Sequence, residues 1–230
     1  MINDYALLTR LPLLQGISST ELLHLEDVLR LDIDELPASR LPIIRQGDLC
    51  TQLLWLVEGE LLREHQSVHL SFGGDGEGFT TRSTLKAPAV IEVDRLFGLH
   101  TTYEHTYRAK TDVKMLSIRK SLINSYLMKS EVFRLNMLNT LSAISQKRAL
   151  AQLPIQLGTA EERLRHFIST LFPGCEGEVE IVIKMKELAK YIGDSRLITS
   201  RILNRWDKEG SIRLGRGHFA IFDINTLLSI

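Results

Sequence analysis

The sequence of 230 residues predicts an α+β fold: an N-terminal antiparallel β jelly roll, one long central helix, and a small helical domain closed by a β-hairpin. Three observations lead there. Short apolar runs alternate with turn residues over the segment from about residue 31 to residue 119. A stretch free of Gly and Pro runs from Ser130 to Leu153. Basic residues gather after Lys184, although Lys+Arg and Asp+Glu both number 28 and the net charge is zero.

The elements follow in order. Ser18-Ser19-Thr20-Glu21 has the pattern of a capping box, and Leu22, Leu25 and Leu29 recur at helical spacing behind it. The runs LPIIRQGD, LLWLVEGELL, SVHLSF, FTTRSTL, AVIEV, TYRAKT and VKMLSI read as strands. Gly47-Asp48, Glu58-Gly59, Gly73-Gly74-Asp75-Gly76 and Lys86-Ala87-Pro88 separate them as turns. Many short strands over so short a segment predict a sandwich or jelly roll. The helix from Ser130 to Leu153 carries a stripe of Leu135, Leu138 and Leu141 with Met137 and Ile144, and Pro154 ends it. Such a stripe fits a dimer seam or packing on its own domain. Thr159-Ala160-Glu161-Glu162 is a second capping box, Pro173-Gly174 breaks the helix it opens, and EVEIVI reads as a strand. The expected domains are residues 1–129 (roll), 130–153 (dimerisation helix) and 154–230.

Composition narrows the class. With 44% apolar and 24% charged residues the chain is ordinary for a globular protein. The longest apolar run, Leu53 to Val57, is too short to span a bilayer. Asp4 and Arg10 interrupt the N-terminal apolar stretch, which does not read as a signal peptide, so a cytoplasmic protein with no membrane partner is expected. Cys50 and Cys175 cannot supply a four-cysteine cluster and read as buried or idle thiols. The histidines (His24, His65, His69, His100, His105, His166 and His218) are scattered, with no metal-ligand spacing, no Ser-His-Asp set and no glycine-rich phosphate loop. No catalytic residue, no metal and no enzyme are expected.

The residues from Lys186 to Gly210 carry the functional reading. Leu188, Ala189 and Ile192 share one face of a short helix, Gly193 turns the chain, and Asp194 or Ser195 caps the next helix. At 100° per residue Ile198, Ile202 and Trp206 fall together with Leu203 beside them, and all four are expected to be buried. Leu197, Ser200, Arg201, Asn204 and Lys208 fall on the opposite side. This is the pattern of a helix-turn-helix, whose second helix, here about residues 195–209, enters the major groove with its N-terminal residues at base edges. Arg196 and Arg201 can meet guanine or phosphate. SIRL, Gly215-Arg216-Gly217 and HFAIF look like a wing, with Arg213 and Arg216 placed for phosphates. From Lys184 to Arg216 nine bases face four acids, a surplus of five where a nucleic-acid site needs it.

With these residues in view, the chain resembles the Crp/Fnr family of bacterial transcription regulators over nearly its whole length. The resemblance rests on Ile44-Arg45-Gln46-Gly47-Asp48 with Gly59, on Arg108-Ala109-Lys110-Thr111, on the long helix, and on Ile192 to Arg196 and Ser200 to Leu203. It implies a homodimer joined along Leu135, Leu138 and Leu141, a sensor domain, and a pseudo-palindromic double-stranded DNA site. RNA polymerase is a further partner if the protein activates.

Two departures stand out. Where the family has a glutamate after the first arginine of the recognition helix, this chain has Leu197, which can touch a thymine methyl but cannot accept from cytosine. The family's cyclic-nucleotide anchors, a Gly-Glu pair and an Arg-Ser pair, fall at Glu92-Val93 and Tyr103-Glu104. An anion would there meet two carboxylates and no cation, which disfavours cyclic AMP. The effector stays open: a neutral or cationic ligand, a collapsed empty pocket, or haem held by His65 and His69 or by His100 and His105. No bound cofactor is the primary expectation. The alternative function is a sensor or scaffold roll that acts through protein contacts without DNA.

Overall fold

The computed structural model describes residues 5–29, 33–67, 78–151 and 158–229. The run SVHLSF, the glycine cluster from Gly73 to Gly76, and Pro154 fall wholly or largely outside these residues. In the chain's order the elements are α1 (Tyr5–Leu8), α2 (Ser19–Leu29), β1 (Ile33–Leu36), β2 (Pro42–Ile44), β3 (Gln52–Glu58), β4 (Glu60–Ser67), β5 (Phe79–Lys86), β6 (Ala89–Ile91), β7 (Thr106–Ala109), β8 (Val113–Arg119), α3 (Lys120–Ser125) and α4 (Glu131–Ala151). They continue with α5 (Ala160–Leu171), β9 (Val179–Val182), α6 (Met185–Ile192), α7 (Arg196–Lys208), β10 (Ile212–Gly215), β11 (His218–Ile221) and α8 (Ile224–Leu228). The architecture is the expected one: antiparallel β-roll, long helix, winged helix-turn-helix.

Two compact units emerge, and they are not consecutive in the sequence. The first comprises residues 1–63 and 85–145; the second comprises 64–84 and 146–230.

In the first unit β3 lies between β8 and β6 with β1 at the edge, all antiparallel. This central position explains why Leu53 to Val57 are buried without alternation: both faces of β3 are covered. Trp55 is fully buried and its indole Nε1 donates to the Pro12 carbonyl at 2.7 Å, so the one polar atom of that ring is satisfied. Gly59 joins β3 to β4 at φ 90°, and a Cβ there would lie 2.3 Å from the Asp112 carbonyl oxygen, so only glycine fits. The Ser18 hydroxyl accepts from the Glu21 N–H at 3.3 Å, as half of the predicted capping box.

The long helix departs from its predicted stripe. Phe133 and Met137 are buried in the first unit's core, and Leu141 and Ile144 pack against it. Leu135 and Leu138 stay outside it, 53% and 60% exposed. The single stripe is really divided, because Met137, Leu141 and Ile144 lie within one 80° arc of the helix, Leu135 lies roughly opposite, and Leu138 lies on the flank between them. Asn136 ties the helix to the N-terminal segment, its amide donating to the carbonyls of Leu13 (3.1 Å) and Gln15 (2.8 Å).

In the second unit β9 pairs with β11 and β11 with β10. The other edge of β9 is taken by β5, in register from Thr80↔Val182 to Ser83↔Val179. Phe79 enters this unit's core beside Phe167 and Tyr191, with ring centroids 5.8 and 5.5 Å away. Arg82 binds Glu64 at 2.8 Å and Glu180 at 3.0 Å. Thr159 caps α5 as predicted: its side chain accepts from the Glu162 N–H at 3.2 Å while the Glu162 carboxylate accepts from the Thr159 N–H at 2.7 Å.

Candidate nucleic-acid interface

Helix α7 is built by its cap and its turn. Gly193 ends α6 at φ 64°, the left-handed conformation that glycine adopts without penalty. Of the two cap candidates Ser195 takes the place, its hydroxyl accepting from the Ile198 N–H at 3.2 Å, and Asp194 serves elsewhere. Arg163 of α5 explains where. Its guanidinium donates to the Ile192 carbonyl at 2.6 Å and binds the Asp194 carboxylate at 2.7 Å, so one side chain clamps both ends of the turn. Gly210 stops the chain after α7 at φ 74°.

The buried face of α7 is Thr199, Ile202, Leu203 and Trp206. This corrects one expectation: Ile198 is 39% exposed, and Thr199 takes the inward place. The reason is hydrogen bonding at the helix start. The Thr199 hydroxyl donates to the Ser195 carbonyl at 2.9 Å, so a polar side chain enters the core already satisfied. Ile198 then sits at the margin, in the first turn.

The outward face matches the prediction. Arg196, Leu197, Arg201, Asn204 and Lys208 are exposed and Ser200 is half-buried. Leu197 is 61% exposed, a large apolar side chain standing in water in the first turn of α7. Asn204 is turned back along the helix, donating to the Ser200 carbonyl at 2.7 Å and its hydroxyl at 3.1 Å. An open depression of about 440 Å³ lies beside the first turn, lined by Lys186, Ala189, Lys190, Gly193, Asp194 and Arg196. Lys190 also binds the buried Glu187 at 2.9 Å. In the wing, Arg213 and Arg216 are exposed, with the Arg213 guanidinium 5.9 Å from the Phe222 ring centre.

Glu161 of α5 holds the other end of α7. Its carboxylate accepts from the Trp206 indole at 2.9 Å and from Arg165 at 3.0 Å, and it pairs with Arg205. Burial by itself pushes this carboxyl up, but the three donors together outweigh it and hold it below the usual carboxylate range. Sequence reasoning missed Glu161 and Arg163 as positioning residues. The i,i+4 spacing of Glu161 and Arg165 was visible, but their reach to α7 depends on tertiary packing.

The predicted effector residues are brought together differently from expectation. Val93 is buried, and Tyr103 is buried with its hydroxyl donating to the Gln52 carbonyl at 3.3 Å. Glu104 pairs with Arg95, and Glu92 with His105 at 2.7 Å, so the expected site of two carboxylates and no cation is corrected. Neither arginine nor imidazole was placed there by counting along the chain. His100 is exposed, and His69 lies outside the described residues. Among the described residues no group of three His, Cys, Asp or Glu is arranged to hold a metal ion.

Fold and surface define the second unit as a winged helix-turn-helix, the class that carries DNA-binding side chains on its second helix. More narrowly, it is a Crp-like helix-turn-helix domain, since the family model of that description matches residues 162–230. The resemblance to Crp/Fnr regulators holds on this domain, residues 162–230. No curated protein matches. Among solved structures, the catabolite activator protein of Thermus thermophilus is 20% identical, with 94% of this chain and 96% of that chain covered and a TM-score of 0.45. DNR from Pseudomonas aeruginosa is 20% identical over 96% and 95%, with a TM-score of 0.42. A transcriptional regulator of the crp/fnr family from Eubacterium rectale is 18% identical over 96% and 100%, with a TM-score of 0.46. No described helix is long and apolar enough to cross a membrane.

Proposed function

We propose that the protein is a cytoplasmic, homodimeric transcription regulator that reads a pseudo-palindromic DNA site through α7. The observation that carries this reading is the two-sided build of α7. Its inner face is pinned by a buried tryptophan and a satisfied threonine, while Leu197, Arg201 and Lys208 face outward beside Arg196. Leu135 and Leu138, exposed on α4, are the seam through which two copies join. Joined copies would engage half-sites about 34–36 Å apart. The wing arginines and Lys186 hold phosphates, and RNA polymerase is a partner if the protein activates. The effector is not cyclic AMP, since neither the Tyr103 nor the Glu104 side chain supplies a cation for a cyclic phosphate. The reading requires no haem or other cofactor.

The test is selection of a duplex from a random pool, followed by titration across a salt series. Wild type binds with steep salt dependence. Arg216→Ala lowers the log–log salt slope by about 1 and keeps the base preference, whereas Arg201→Ala loosens the preference at one base pair at a cost of about 1–3 kcal/mol. Absence of duplex binding at low salt would leave the scaffold reading instead.

A further inference from the structure

We propose that the Glu92 carboxylate is a built-in ligand of the first unit: it fills an anion cradle that, once vacated, takes a small carboxylate or inorganic phosphate. The donors of the cradle all lie on one short segment, Glu104 to Tyr107. Glu92 Oε2 accepts from the Glu104 N–H at 2.6 Å, and Oε1 accepts from the His105 N–H at 3.0 Å. Oε1 also meets the His105 Nδ1 at 2.7 Å and the Tyr107 hydroxyl at 3.0 Å. Two backbone N–H groups, an imidazole and a phenol thus point at one carboxylate whose side chain is only 8% exposed. Donors so arranged are costly to leave empty and bind an anion strongly when filled.

Two further features say that the filling is specific. Glu92 stands at φ 38°, ψ 49°, a left-handed conformation that non-glycine residues adopt at a cost, and it is this conformation that carries the carboxylate back over the 104–107 segment. The neighbouring acid does not compete, because Glu104 is turned to Arg95. Burial first, and then the Glu92 charge, push the Tyr107 phenol well above its ordinary range, so its hydroxyl remains a donor. The ligand class is therefore a compact monoanion or phosphate, and the protein supplies it from its own chain. The cradle itself does not depend on DNA binding; the consequence that DNA affinity needs no added anion rests on the function proposed above.

The experiment uses the full chain. In Glu92→Gly, which also removes the left-handed penalty, thermal melting is followed in acetate, formate or phosphate against chloride at equal ionic strength. The expected result is a Tm higher in acetate, formate or phosphate than in chloride by about 4 °C at saturating anion, with no such difference in wild type. Equal melting in all four salts, or the same response in wild type, overturns the proposal. Should Glu92→Gly fail to fold, Glu92→Gln decides. Its amide nitrogen faces donors, so its Tm falls by about 4 °C or more and acetate does not restore it. Melting indistinguishable from wild type overturns the proposal. DNA affinity is read separately: wild type changes less than about twofold on adding phosphate or acetate at constant ionic strength, so a failure there touches the regulatory consequence and leaves the cradle to the melting data.

Discussion

At the scale of single residues, Leu197 separates this protein's surface from the one its resemblance implies. It stands in the first turn of α7, 61% exposed, where an acid would accept from a cytosine amino group. A leucine there offers only methyl groups, which match the C5-methyl of thymine. Leu197→Glu is expected to move the preferred half-site at one base pair, from thymine contact toward cytosine, with a change in relative affinity of about 1–3 kcal/mol between the two duplexes. Duplex selection on wild type and variant in parallel checks it; identical selected half-sites would sink it. Leu197 was legible because its outward placement follows from helical periodicity alone. Ile198 was not. Periodicity puts it with Ile202 and Trp206, but Thr199 can enter the core once its hydroxyl bonds the Ser195 carbonyl, and that bond is invisible to a hydrophobicity pattern.

At the scale of elements, α5 acts as the bracket of the recognition helix. Arg163 fixes the turn before α7, and Glu161 fixes Trp206 and Arg205 near its end. The Glu161 carboxyl lies below its ordinary range, so the stability it contributes is present above the unfolded pKa and is lost as pH falls through the folded one. Glu161→Gln is therefore expected to lower Tm at neutral pH and to flatten the loss of stability on acidification. Thermal melting across an acid series measures both. Unchanged curves would show that the bracket carries no weight. The capping box at Thr159 was readable in four letters because both halves of the interaction lie within one turn. The bracket was not, because its partners are separated by 29 to 45 residues. The stripe on α4 failed for a related reason: sequence shows that Leu135, Met137, Leu138 and Leu141 are apolar, but not that a core claims Met137 and leaves Leu138 to water.

At the scale of the whole molecule, the chain was legible as a succession of textures: short strands, one long helix, a second set of helices with a basic surplus. Turn residues and periodicity act locally, so they survive in a one-dimensional reading. Assembly is the remaining question. Leu135 and Leu138 are large apolar groups held in water on a helix that already buries Phe133 and Met137. Replacing Leu138 with Arg is expected to shift the protein from dimer to monomer in sedimentation velocity and to weaken DNA binding at least tenfold, since the two half-sites are then bound separately. A variant that remains dimeric would remove the seam from α4.

The segment from residue 64 to residue 84 bears on how this protein can be taken apart. It interrupts the first unit's sequence, yet its strand lies on the β9 edge, with Phe79 inserted among the aromatic rings of the second unit. A fragment cloned from the end of the long helix onward would keep every residue of the helix-turn-helix and still lack one strand of its sheet. It would present a bare backbone edge and two uncovered rings, a known invitation to aggregation. For the same reason, grafting this recognition module onto another sensor requires transplanting two stretches of sequence together. The natural unit of exchange here is a discontinuous one.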